Sequence, residues 1–271
     1  MLHEYGHYVQ HCFGISNFPG LSHSHSANLA DSYNDKSIGI RVAWGEGWAT
    51  YFSINAQRKM NASSMNIPYV GDKRYNNCST IDFSIETIES QYRLGEANEV
   101  AVAATLYDMT DGTSTSDHDL ISCSNSTIWS ITKNSHCKTL SDFVTAFYGS
   151  SSYSTQTKLK LGSTLSYHYV AANLDDSPTG LETNTPTFFW DKQGGSATFP
   201  NDSFRLAFYD SSFTFILRTN SCNATSQTLT PTQWNQVRNS GNTIYCCVET
   251  YQTSSPSTGV YNSNFITLNL N

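Results

Sequence analysis

His3, Glu4 and His7 stand together in the run "HEYGH", and their types and spacing are suited to chemistry. Residues four apart share one helix face, so both imidazoles can reach a single metal ion while Glu4 faces the same cavity. A zinc ion with three protein ligands keeps a fourth position for water, whose pKa then falls towards about 7. His3 and His7 would be two of those ligands.

The third must come from elsewhere. A histidine six residues after His7 would extend the motif, but Phe13 holds that position. His11 lies a further turn along the helix and drifts round its axis, so it would reach the same ion only with strain. A carboxylate on a separate helix is the remaining option, and Glu46 in "WGEGWATYFS" is the best placed. Its neighbours Trp44, Trp48 and Ala49 point to a buried helix, where an unpaired carboxylate would be costly.

"HEYGH" followed by "WGEGWATYF" resembles the gluzincin metallopeptidases, especially their aminopeptidase group, over residues 1 to about 56. The resemblance implies zinc held by His3, His7 and Glu46, with Glu4 as general base and then acid in peptide-bond hydrolysis. The exopeptidase motif that grips a free amine is absent, so the implied activity is that of an endopeptidase. Gluzincins often use a tyrosine or histidine to stabilise the oxyanion; Tyr92, Tyr107, His118 and His168 are available, and we name Tyr107. "GEANEVAVAATLYDMTD" resembles a further helix of secreted metallopeptidases, in which Glu96 or Glu99 would orient an imidazole. Acidic residues also occur at helix N-termini simply because the dipole favours them. His23 and His25 in "LSHSHSA" could bind metal, but histidines in a polar loop are expected to be solvated.

These residues need helices to position them. Helical patterns run over His3–Cys12, "AWGEGWATYFSINAQRK", "GEANEVAVAATLYDMTDG" and "TLSDFVTAFYGS", the last with Thr139 and Ser141 as capping candidates. Beyond about residue 172 the pattern changes to short aromatic runs between turn clusters: "TFFW", "SFRLAFYD", "FTFILRT", "TIYCCVETYQ" and "NFITLNL". We therefore expect an α+β chain: a mainly helical metallopeptidase domain over 1–172, a linker over 173–184, and an all-β sandwich over 185–271. The second domain resembles a fibronectin type III or immunoglobulin-like module, with "LTPTQWNQV" read as a turn into a strand and Trp190, Trp234 and Tyr245 as core. The resemblance implies a spacer, or an appendage that touches a cell surface or polysaccharide.

Composition bounds the partners. A net charge of -7 over 271 residues offers no basic stripe for phosphates, which argues against nucleic acid, and no apolar run is long enough to span a bilayer. Only 15 lysines and arginines against abundant Ser, Thr, Asn and Tyr suit a secreted or surface protein. Seven cysteines without a CxxC pair disfavour a thiolate zinc site. In an oxidising compartment Cys123 could pair with Cys137, and Cys222 with Cys246 or Cys247. Adjacent Cys246 and Cys247 in a strand should face opposite ways, one in the core and one on the surface or bridged. The sequons at Asn61, Asn125, Asn201 and Asn223 would carry glycans only in a eukaryotic secretory route. A gluzincin places a β-sheet before its HExxH helix, so a chain opening on that helix is expected to be a fragment of a longer secreted precursor. The competing expectation is a surface binding or adhesion protein whose sandwich does the work and whose peptidase domain is incomplete.

Overall fold

A computed structural model describes residues 1–16, 22–66, 74–76, 82–86, 90–112, 120–192, 202–251 and 260–270. Cys78, His118 and Asn201 lie outside these. The chain is a mixed α+β protein of two compact units that divide between Gly149 and Ser150. Among the described residues no helix is long and apolar enough to cross a membrane.

In the first unit, α1 (Leu2–Phe13) ends where Gly14 takes a left-handed conformation and its N–H returns to the last carbonyls. Helix α2 (Lys36–Lys59) starts seven residues before the aromatic pattern, because Asp35 accepts from the Ser37 N–H at 2.9 Å and caps it. A short antiparallel pair, β1 (Arg74–Asn76) and β2 (Asp82–Ser84), follows. A 3₁₀ turn at Gly95–Ala97 leads into α3 (Glu99–Asp108), where Asn98 accepts from the N–H groups of Val100 and Ala101. Helix α3 is buried along its whole length. Helix α4 (Asn125–Asn134), unforeseen in the sequence, is capped by Ser124; α5 (Leu140–Gly149) starts where Thr139 accepts from the Asp142 N–H at 3.0 Å.

Helix α2 packs against both α1 and α3. Two glycines set how closely. A methyl on Gly6 would stand 3.0 Å from the Ala49 Cα, so the gap between His3 and His7 on α1 receives the backbone of α2. A methyl on Gly47 would meet the Glu99 carbonyl oxygen at 2.6 Å, a contact no side chain tolerates, so α3 lies directly against the turn that carries Glu46. Trp44, fully buried, donates from Nε1 to the Ile15 carbonyl at 3.1 Å and ties α2 to the end of α1.

In the second unit, α6 (Thr155–Tyr167, capped by Ser154) comes first. Its Ser166 hydroxyl donates to the Ala172 carbonyl at 2.6 Å and accepts from the Asn264 N–H at 2.9 Å, which makes α6 part of this unit. The strands are β3 (Asn173–Leu174), β4 (Thr187–Asp191), β5 (Ser203–Asp210), β6 (Phe215–Arg218) and β7 (Ser226–Thr228). After α7 (Pro231–Arg238) come β8 (Thr243–Tyr251), β9 (Tyr261–Asn262) and β10 (Ile266–Asn269). They form two antiparallel sheets, β10-β8-β5-β6 with β9 beside β8, and β3-β4-β7. Phe188 and Trp190 from one sheet, Phe204, Leu206, Phe208 and Val248 from the other, and Trp234 from α7 share one core.

Four expectations are corrected here. Residues 173–174 are not linker: Leu174 is buried, pairs with Trp190, and has its backbone N–H and carbonyl both bonded by the Asn264 side chain. The unit is not all β, since "LTPTQWNQV" forms helix α7 where a strand was expected. Thr230 and Gln233 make a reciprocal capping box and Pro231 takes the first helical position, where its missing N–H costs nothing. The cysteines Cys12, Cys123, Cys137, Cys222, Cys246 and Cys247 are all free, so neither expected disulfide is present. Cys246 and Cys247 are both fully buried, against the expectation of one surface thiol. Burial also pushes the Cys123 and Cys137 thiols up, to about 11 and about 12, which leaves them unreactive at neutral pH.

Candidate metal centre

Helix α1 presents His3 and His7 to α2, and α2 answers with Glu46. His3 Nε2 lies 3.0 Å from Glu46 Oε2, His7 Nε2 lies 3.3 Å from the same oxygen, and the two Nε2 atoms are 3.1 Å apart. Donors around a tetrahedral zinc at 2.0–2.1 Å stand about 3.3 Å from one another. The triangle therefore has the edge lengths of such a coordination face.

The outer nitrogens are engaged in ways that aim the inner ones. Gln10 is fully buried, and its Nε2 donates to the Gly45 carbonyl at 3.0 Å, which turns its oxygen towards His7. That oxygen sits 2.9 Å from His7 Nδ1, so Nδ1 must carry the proton and neutral His7 offers a lone pair from Nε2. The Thr50 hydroxyl, 3.1 Å from His3 Nδ1, can accept in the same way. Burial pushes the Glu46 carboxyl up, but hydrogen bonds to His3 and His7 and their charges outweigh it and hold the group at about 2. Burial pulls His7 down, yet the hydrogen bond and charge of Glu46, with help from Gln10 and Glu4, leave its pKa raised. A carboxylate that stays ionised and two imidazoles that would give up their Nε2 protons to a bound ion are the donor set a borderline divalent cation prefers.

Comparisons with models of protein families, with curated proteins and with solved structures find no match. The site must be judged on its own geometry.

Glu4 is exposed on α1, near enough for its charge to act on His7. His11 is exposed and takes no part in either grouping of metal-binding side chains among the described residues. His23 departs from the solvated state expected of it: its Nε2 lies 2.8 Å from Glu99 Oε2, and both side chains are nearly buried. Glu99 thus faces an imidazole, and Glu96 is buried in the 3₁₀ turn. His25 stacks on Phe83, with Tyr92 beside it.

Tyr107, expected as the oxyanion donor, lies by Arg58 and away from the three converging side chains. The Arg58 guanidinium sits 4.8 Å above its ring, and Arg58 follows Glu46 on α2 by twelve residues. At 1.5 Å per residue that is roughly 18 Å of helix axis, far beyond hydrogen-bond reach of the centre. His168 is buried at the end of α6 in the other unit. A residue the sequence did not mark is better placed: the Tyr33 hydroxyl is buried without a hydrogen-bond partner among the described residues. Burial pushes the Tyr33 phenol up and the charge of Glu46 pushes it further, so Tyr33 lies within the electrostatic reach of Glu46. No motif marks it, because Tyr33 lies in a polar loop and approaches Glu46 only through the fold.

The Tyr107 region has a consequence for stability instead. Burial, with the charges of Asp108 and Glu86, raises Asp111 to about 7 against the opposing charge of Arg58. A carboxyl raised in the folded state favours folding at low pH and withdraws that support as pH climbs through the window from about 4 to about 7. Asp111→Asn is expected to stabilise the protein by about 1 kcal/mol at pH 8, after discounting for partial exposure, and to change nothing at pH 4. Thermal melts at the two pH values check this.

Proposed function

We propose that the first unit is a zinc-dependent peptidase centre of gluzincin type, acting as an endopeptidase on protein or peptide substrates. The observation that carries this reading is the triangle of His3 Nε2, His7 Nε2 and Glu46 Oε2, with separations of 3.0–3.3 Å and the His7 tautomer set by Gln10. A zinc ion held there would supply Lewis acidity, lowering the pKa of a water and polarising a carbonyl oxygen. Glu4 takes the proton of the attacking water on its carboxylate and passes it to the leaving amine nitrogen. Tyr33, whose hydroxyl has no hydrogen-bond partner among the described residues, donates it to the carbonyl oxygen as negative charge develops there. The acidic, lysine-poor composition supports an extracellular setting and argues against nucleic-acid partners. Two antiparallel sheets over one core support reading the second unit as an immunoglobulin- or fibronectin-like appendage decorated by α6 and α7.

Elemental analysis of the purified chain with a casein digestion assay tests the reading. One zinc per chain and chelator-sensitive digestion are expected, and Glu4→Gln should keep the zinc while losing at least about a thousandfold in turnover. Digestion that survives both chelation and Glu4→Gln would overturn it, as would a folded chain that takes up no zinc.

A further inference from the structure

We propose that His23, Glu99 and Glu46 form a second cation site, one that shares the Glu46 carboxylate with the first and takes a harder divalent ion. The proposal rests on the zinc reading to the extent that Glu46 is common to both.

Donor atoms from these three side chains all lie within 4.8 Å of one another. Opposed ligands around a hard divalent cation stand roughly 4–5 Å apart, so one ion fits among them. A carboxylate has two oxygens and about four lone-pair sites, which lets Glu46 serve two ions at once. Centres with two ions about 3.5–4 Å apart recur among hydrolases. The donor sets also differ in kind. The first is two imidazoles and one carboxylate, which suits zinc; the second is one imidazole and two carboxylates, which moves the preference towards manganese or magnesium.

The arrangement is held from several sides. Asn98, while capping α3 with its oxygen, donates from Nδ2 to the carbonyls of His25 at 2.9 Å and Ala27 at 3.2 Å. The Leu29 N–H donates to the Ala97 carbonyl at 2.8 Å, which adds a backbone tie between the same loop and the start of α3. The His25 ring anchors against Phe83 and Tyr92, which steadies the loop that carries His23. The close contact of Gly47 with the Glu99 backbone brings the second carboxylate to the first. Loop, α2 and α3 each contribute one ligand, and the ties among them hold the three side chains together.

The probe is Mn2+ added to the zinc-loaded chain, followed by loss of the free-ion EPR signal. One Mn2+ per chain is expected to bind. His23→Ala and Glu99→Gln should each weaken that binding by about a hundredfold while one zinc remains. Retention of zinc in each variant, with an unchanged far-UV CD spectrum, shows that the fold and first site persist. A wild-type chain that takes one zinc but no Mn2+ overturns the second site and leaves the peptidase reading standing, as does Mn2+ binding that both variants keep. A folded chain that takes neither ion overturns both.

Discussion

Replacing Glu46 with Gln is expected to lower zinc affinity by about a thousandfold, read by competition against a chromophoric chelator. A zinc site formed by a small domain is worth about 10–16 kcal/mol in all, and removing the anionic member of three protein ligands should take about 4 kcal/mol of it. The substitution keeps size and shape, and the Glu46 side chain is only 14% exposed, so the lost charge rather than lost packing sets the effect. In the wild type Glu46 is held at about 2 and stays ionised over the working range, so protons compete with zinc at the histidines. His7 is raised above its ordinary value, and zinc uptake should weaken as pH falls through that raised pKa. The Gln variant removes the group that raises His7, so its residual uptake should begin to fall at lower pH.

The second large effect lies in the β unit. Trp234→Ala is expected to destabilise it by about 3–5 kcal/mol, measured by urea unfolding of the full chain. Trp234 is fully buried on α7, in a core with Phe188 and Trp190 from one sheet and Phe204, Phe208 and Ile244 from the other. A short helix packed on β6 cannot slide inwards to refill the space, because its start is fastened by the Thr230–Gln233 box and Gln236 donates to the Ile216 carbonyl at 3.1 Å. Removing the indole should therefore leave much of its volume as a cavity. A loss under about 1 kcal/mol would mean that α7 does collapse into the gap.

What could be read in advance follows from how far apart the interacting residues are. The His3–His7 pair rests on local spacing, and Glu46 rests on the aromatic context of its own helix, so both were legible. The pairing of His23 with Glu99 spans 76 residues and depends on a loop whose ties to α3 leave no local mark. Tyr33 carries no local mark for the same reason, and the residue type of Tyr107 holds no information about its distance from Glu46. Helices α4 and α6 begin at Ser124 and Ser154, caps that vanish in a background rich in serine and threonine. The box at Thr230 was different: threonine, proline and glutamine stood at the helix-starting positions, and expecting a sandwich led to reading them as a turn. The buried Cys247 shows another limit. Alternation assigns the two faces of a strand correctly, but it says nothing about whether the outer face is covered.

The bare Cα of Gly47 acts as the gauge block of the first unit. Any larger residue there would push α3 outwards and carry Glu99 away from Glu46, while α1 and its histidines, seated on the opposite flank, would stay put. The breadth of the acidic half of the centre can thus be altered without disturbing the imidazole half, and one hydrogen atom's worth of room decides whether two carboxylates act together or apart.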